Sequence, residues 1–176
     1  MSCKSLPPVI KLGITNANYY ESGMLVFNWI RLPVEEETLK KQLTALEIGK
    51  DECLVLDVQA PFKCTFHEGL DIFELNQKLN QLGAIDIDIL KAISEYDTLP
   101  IIKIIDIALN KKYVIYENVL SEEELGRKLF KEHKLPFNIP KNLEKYIDFK
   151  AVGHDVCIKN SIHFIPELNI AETIMV

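Results

Sequence analysis

The 176-residue chain has few of the features that identify common classes of enzyme. Glycine occurs only seven times, so a Gly-rich loop that cradles a phosphate is not predicted. The zinc-protease motif HExxH and the hydrolase motif GxSxG are both absent. Because no familiar catalytic constellation is present, we expect no catalytic residue, no enzyme activity and no cofactor.

Long apolar runs and an excess of positive charge are also missing. Lys103 and Asp106 interrupt the longest apolar stretch, residues 99–109, which is far short of the roughly eighteen residues of a membrane span. The first residues lack the apolar core of a secretory signal. Lys and Arg number 20 against 26 Asp and Glu, whereas a broad nucleic-acid-binding surface usually carries a basic excess. We expect a cytoplasmic protein that binds neither membrane nor nucleic acid.

The four cysteines contain no Cys-x-x-Cys pair. The best metal-ligand candidates are Cys64 and His67, spaced as Cys-x-x-His, together with Cys157 and His163. Cys157 with His154 would be an alternative nucleophile and base. Reduced thiols and surface imidazoles explain the same residues without any site, and we predict that no metal is bound.

Hydrophobic periodicity changes twice along the chain and predicts an α+β protein built from three small consecutive units. Residues 1–67 combine alternating patterns with one helical stripe, which indicates an antiparallel sheet with one helix. Residues 68–110 show helical apolar stripes and predict a helical middle domain. Residues 111–176 return to mixed patterns and predict a C-terminal α+β domain.

Some local segments carry more specific predictions. Residues 16–23 have the composition of a loop, followed by a strand over residues 24–32. Residues 149–158 and 170–176 are predicted to form two closing strands. Trp29, with the pair Tyr19 and Tyr20, could form a platform on which a nucleic-acid base stacks, but the alternating large residues around Trp29 favour packing in or beside the core.

Negative charge is concentrated in the middle of the chain. The net charge is −1 over residues 1–67, −5 over residues 68–110 and zero over residues 111–176. Eight acids and three bases make up the middle segment. Such runs commonly cap helices or cover their solvated faces, so charge alone does not establish a site.

Four strings resemble the ArdA antirestriction family. LGITNANYYESG at residues 12–23 is similar to that family's first strand and turn, and WIRLP at residues 29–33 to the stretch entering its first helix. LVLDVQAPF at residues 54–62 is similar to its third strand with a Pro-Phe exit. The most specific string is PKNLEKYIDFKAVGHD at residues 140–155. Because the strings lie near both ends in the family's order, the resemblance covers nearly the whole chain.

The residues that best match the family's strings are expected to have structural roles, in the core and turns. They are Trp29, Pro61, Phe62, Tyr146, Ile147, Asp148, Gly153 and Asp155.

The resemblance implies a non-enzymatic protein encoded on mobile DNA, such as a conjugative transposon. It implies an elongated protein of three domains, a homodimer formed through the C-terminal domain, and imitation of double-stranded DNA. The implied partner is a type I restriction-modification enzyme, whose DNA-binding core the mimic would occupy. The acidic residues expected to replace phosphates are Asp71, Glu74, Asp86, Asp88, Glu95, Asp97, Asp106, Glu122, Glu123 and Glu124.

The modest net charge of −6 supports an alternative function. A protein-interaction module could retain the same fold without imitating DNA. The two hypotheses differ in their response to salt, because only a mimic held by charge loses affinity steeply as ionic strength rises.

Overall fold

The computed structural model describes residues 7–24, 26–49, 52–85, 87–135 and 140–174. These residues form seven α-helices and two three-stranded antiparallel sheets, which confirms the predicted α+β class. Short 3-10 helices cover Lys141–Tyr146 and Pro166–Leu168. The strands are β1 (Ile10–Asn16), β2 (Asn28–Leu32), β3 (Cys53–Gln59), β4 (Tyr113–Glu117), β5 (His163–Ile165) and β6 (Ile170–Ile174). The helices are α1 (Ala17–Glu21), α2 (Glu36–Ala45), α3 (Ile72–Leu82), α4 (Ile87–Tyr96), α5 (Ile101–Leu109), α6 (Glu122–Lys131) and α7 (Phe149–Asn160).

Internal contacts group the chain into two compact units, residues 1–111 and 112–176. The further boundary that the sequence indicates at residues 67–68 remains a prediction. Within the described ranges, no helix is both long enough and apolar enough to cross a lipid bilayer.

The first unit contains a sheet of strand order β2-β1-β3 with one face buried and one exposed to solvent. Ile10, Leu12 and Ile14 alternate along β1 and are fully buried. On the opposite face, Lys11 lies across from Arg31 of β2. The alternation therefore assigns Ile10, Leu12 and Ile14 to the core and places Lys11 and Arg31 on the outer face.

Helices α3, α4 and α5 form within the segment that the sequence predicts to be helical. The Asp71 carboxylate caps α3 by accepting backbone N–H groups, and Gly83 ends the helix with φ of 60°. Asn76 of α3 is buried and clamps the chain after β2, because its amide exchanges two hydrogen bonds of 2.9 Å with the backbone of Val34. Ile87 and Ile89 lie in helix α4, although their alternation with Ile85 would also suit a strand.

The second unit packs α6 and α7 on the sheet of order β4-β6-β5 through a shared apolar cluster. A cluster that includes Leu125, Leu129 and Ala171 forms its core. The two helices cross with backbone in contact: a Cβ added at Gly153 would lie 1.7 Å from the Glu122 carbonyl oxygen. Glycine at this position is therefore required by the close approach.

Three local predictions are wrong. Residues 149–158, predicted as a strand, lie in α7, because the Asp148 carboxylate caps a helix and Gly153 lets that helix approach α6. The predicted loop at residues 16–23 contains the short helix α1, which the side chain of Asn16 caps. The strand predicted from residue 24 begins only at Asn28.

Candidate functional site

The acidic residues predicted to replace phosphates lie on two parts of the chain, the helical segment of the first unit and the start of α6. Asp86 lies outside the described residues. The other nine side chains are exposed or partly exposed. Because they are accessible to a partner, the charge that each carboxylate can offer depends on what it already binds within the chain.

In the helical segment of the first unit, Asp71 and Asp97 bind backbone N–H groups. Asp71 accepts hydrogen bonds from the N–H groups of Phe73 at 2.9 Å and Glu74 at 3.0 Å, which is its role as the cap of α3. Asp97 accepts the N–H of Thr98 at 2.7 Å in the turn before α5. A carboxylate has about four acceptor positions, so both retain capacity for cationic donors.

Lys78 stands between two of the predicted carboxylates. Its ammonium group on α3 contacts Glu74 of the same helix at 3.4 Å and Asp106 of α5 more closely. The hydrogen bond with Asp106 is the largest cause of the raised pKa of Lys78, and Glu74 adds to the increase. Lys78 thus holds α3 to α5 and partly neutralises both acids.

Acids of α4 also have lysine partners. Asp88 binds Lys91 one turn away at 2.8 Å. Glu95 binds Lys63 at 2.7 Å, although Lys63 is distant in sequence. Both pairs are at least partly open to solvent, where an ion pair contributes little and is screened by salt.

The acids that begin α6 have similar local partners. The carboxylate of Glu124 accepts the N–H of Leu120 at 2.7 Å and completes the helix start. Glu123 binds Arg127 one turn along the helix at 2.7 Å.

Glu122 contacts α7 instead. One of its carboxylate oxygens lies 2.7 Å from Nδ1 of His154. The side-chain contact spans the same helix crossing at which Gly153 meets the backbone of Glu122. Glu122 therefore has a structural role whether or not it contacts a partner.

The arrangement can attract a basic surface, but it is not an unopposed array of negative charge. All nine described acids contact a Lys, Arg, His or backbone N–H within the chain. The net charge of −5 over residues 68–110 still acts on a partner at distances within the Debye length, about 8 Å at physiological ionic strength.

The cysteine and histidine candidates are divided between the two units. Cys64 and His67 belong to the first unit, and Cys157 and His163 to the second. Burial raises the pKa of the Cys64 thiol and is the largest cause of the raised pKa of Cys157. The raised values disfavour the thiolate that a nucleophile requires. In the described ranges, no group of three or more His, Cys, Asp or Glu has a geometry that could hold a metal ion.

Residues of the family strings have varied environments. Phe62 is buried, and Asp148 caps α7 by accepting the N–H of Ala151 at 3.0 Å. Trp29 keeps 42% of its surface exposed and Tyr146 keeps 74%, so Tyr146 is not a core residue. Pro61 and Asp155 are exposed and Ile147 is partly buried.

Glu172 is a buried acid that no sequence motif identifies. This residue of β6 has no solvent exposure, and both of its carboxylate oxygens lack a hydrogen-bond partner among the described residues. Burial raises its pKa to about 7. In the sequence, Glu172 alternates with Ile170 and Ile174, so the three side chains lie on the same face of a strand. An acid between two apolar residues of one strand face is the sequence signal that could have identified it.

Comparison with known protein families identifies a match for this chain. A family model described as "Antirestriction protein (ArdA)" matches residues 14–168. No curated protein matches the chain.

Proposed function

The chain belongs to the ArdA family of antirestriction proteins, and we propose that it inhibits type I restriction-modification enzymes by occupying the groove in which they bind duplex DNA. The family match over residues 14–168 is the observation that carries this proposal. No catalytic step is required, because a bound mimic excludes DNA from the groove.

The charge distribution supports the mimicry. Duplex DNA carries one negative charge per about 1.7 Å of its axis, and proteins bind it largely through Lys and Arg contacts to phosphate. Eight acids and three bases in residues 68–110 provide a local negative excess of the required sign. Because the acids are numerous, we expect that no single substitution abolishes binding.

We also propose that the protein is a homodimer formed through its C-terminal unit, residues 112–176. The resemblance to the family implies this assignment, and two large apolar side chains exposed on the unit are available to such an interface. Ile158 is 68% exposed and Tyr146 is 74% exposed.

The test in cells is the transfer of unmodified plasmid or phage DNA into a host with an active type I system. Expression of the protein should raise the number of transformants or plaques toward that of a host without restriction. The test in vitro is binding to the purified methyltransferase core, which duplex DNA should compete and which should weaken at least about tenfold as salt rises from low to physiological concentration.

A charge-removal variant tests the proposed surface. The triple variant Asp88→Asn, Glu95→Gln, Asp97→Asn removes three exposed charges and leaves the helix cap at Asp71 intact. We expect its affinity for the methyltransferase core to fall about tenfold, because each lost contact removes attraction to a basic group.

The matched control removes the same number of charges from the second unit, through Glu117→Gln, Glu144→Gln and Glu167→Gln. Apart from the long-range effect of the changed net charge, the affinity of this control for the methyltransferase core should stay within about twofold of the wild-type affinity. Equal losses in the two triple variants would contradict a role for the helical segment.

The local partners of the nine described acids favour a second candidate, an interaction module that does not imitate DNA. In that case the contact with a partner is mainly apolar, and its affinity changes little with salt. Salt-independent binding to the methyltransferase core would support this function over mimicry.

A further inference from the structure

A shallow depression on the outer face of the first sheet brings together two cations, an amide and an aromatic ring. Lys11, Trp29, Arg31 and Gln59 line this depression, whose volume is about 420 Å³. Arg31, Lys11 and Gln59 are direct cross-strand neighbours and form one row over β2, β1 and β3. Trp29 precedes Arg31 by two residues, about 7 Å along the same strand. These four residues are called the sheet-face site.

The ring of Trp29 is supported by a second aromatic ring. Phe27 meets it edge to face, with 5.8 Å between ring centroids and 71° between ring planes. Phe27 lies over Gly13, where an added Cβ would stand 3.2 Å from its ring. The missing side chain at Gly13 thus makes room for Phe27, which in turn restrains a tryptophan that keeps 42% of its surface exposed.

The two cations of the site have no partner of opposite charge among the described residues. In contrast, Lys40, Lys63 and Lys78 each bind a carboxylate. Asp57 shares the outer face, but it lies opposite Gly13 and does not line the depression. The site is therefore locally positive on a chain of net charge −6, which favours an anionic ligand.

We propose that the sheet-face site binds one nucleotide unit, with its base stacked on Trp29 and its phosphate held by Arg31 and Lys11. The planar guanidinium suits phosphate oxygens, and an exposed indole accepts any base by stacking. The same chemistry is offered by a free mononucleotide and by single-stranded nucleic acid. The proposal goes beyond the proposed antirestriction function, because none of the four residues is a proposed phosphate surrogate.

The proposal is compatible with the acidic composition of the chain. A net negative charge disfavours a broad nucleic-acid surface, whereas this site covers one or a few nucleotides. Duplex DNA is a poor ligand for it, because paired bases stay stacked on one another and do not offer a free face.

The experiment uses the full-length protein and the fluorescence of Trp29, the single tryptophan of the chain. The protein is titrated at low salt with deoxythymidine monophosphate, with a single-stranded oligonucleotide of about eight thymidines, and with the duplex of that length. We expect saturable quenching by the single strand and weaker or no quenching by the duplex. Binding of the oligonucleotide at least about tenfold tighter than the mononucleotide identifies single-stranded nucleic acid as the source, and equal affinities identify the free nucleotide.

Variants separate the site from general charge effects. The double variant Arg31→Gln, Lys11→Gln should weaken binding of the oligonucleotide about tenfold or more. The control is Lys41→Gln, which removes the charge of an exposed lysine of α2. It should leave the affinity within about twofold of the wild type, when corrected for the removal of one charge rather than two. Trp29→Ala and Trp29→Phe are followed by the anisotropy of a labelled oligonucleotide, and only the phenylalanine variant should retain stacking. Circular dichroism shows whether each variant is folded.

Two results would overturn the proposal. One is the absence of saturable quenching by both thymidine ligands while the protein is folded. The other is tighter binding of a peptide of about eight glutamates than of the oligonucleotide, which would assign the face to an acidic protein segment.

Discussion

Glu172 lies in the central strand of the C-terminal sheet, and its carboxyl side chain has no solvent exposure. Ile115 of β4 and His163 of β5 are its direct cross-strand neighbours. Both carboxyl oxygens lack a hydrogen-bond partner in the described part of the chain. Because burial without partners disfavours the charged form, the pKa of Glu172 rises to about 7.

The buried carboxyl links the stability of the second unit to pH. Unfolding returns the group to its ordinary pKa of 4.5, so between that value and about 7 the folded chain keeps a proton that the unfolded chain releases. The stabilisation is fully present below pH 4.5 and is lost as the pH rises through about 7. From pH 4.5 to pH 8 we expect a loss of about 3 kcal/mol in the free energy of unfolding.

Urea denaturation at several pH values, followed by far-ultraviolet circular dichroism, measures this loss. The variant Glu172→Gln cannot ionise and should lack this part of the pH dependence. His163→Gln removes the imidazole opposite Glu172 and should keep it, as should Glu117→Gln at the exposed end of β4. An equal pH slope in wild type and Glu172→Gln would show that the carboxyl does not control stability.

At the scale of elements, the crossing of α6 and α7 leaves no space for side chains at its centre. An added Cβ at Gly126 would lie 2.1 Å from the carbonyl oxygen of Phe149, and one at Gly153 would lie 1.7 Å from that of Glu122. In an exposed helix, Gly→Ala usually stabilises by about 0.5–1 kcal/mol. Here the sign should be opposite, because a new atom would collide with rigid backbone.

We therefore expect Gly153→Ala to destabilise the second unit by about 2 kcal/mol or more through overpacking. Thermal or urea unfolding of the variant measures the change. Lys150→Ala, at an exposed position of the same helix, serves as the control and should change the free energy of unfolding by less than about 0.5 kcal/mol. A stabilised Gly153→Ala variant would contradict the close helix contact.

Elements with strong local signals could be predicted from the sequence. The Asp71 cap, the apolar stripe of α3 and the stop at Gly83 predict that helix closely. Helix α7 was not predicted, because residues 149–158 have only a weak helical amphipathic pattern. Two of its apolar residues, Ile158 and Val156, are exposed or half-exposed in the structure and therefore do not mark a buried face. Its cap at Asp148 is a local signal, but its packing depends on α6, which is distant in sequence.

For the molecule as a whole, the balance between the acids and their local cations bears on the proposed mimicry. Lys63 neutralises Glu95 and Lys91 neutralises Asp88. If the carboxylates replace phosphates, these lysines compete with the Lys and Arg groups of the restriction enzyme. Removing them should therefore strengthen binding.

The double variant Lys63→Gln, Lys91→Gln should bind the methyltransferase core several-fold more tightly than the wild type. The gain is limited because each exposed ion pair that is removed contributes only about 0.2–1 kcal/mol. Surface plasmon resonance at two salt concentrations measures the change. Lys150→Gln with Lys159→Gln alters the net charge equally from α7 and should have a smaller effect. Unchanged affinity in the first variant would favour an interaction module without mimicry.

The sequence alone determined the α+β class and, for residues 68–110, the helical character and the concentration of negative charge, because periodicity, caps and charge are local properties. Only the tertiary structure showed what each charge contacts. Lys63 meets Glu95, Glu172 is buried in the central strand of its sheet, and Lys11 and Arg31 stand beside Trp29 without a carboxylate partner in the described residues. Residues distant in the chain create these environments, and for that reason no local pattern predicts them.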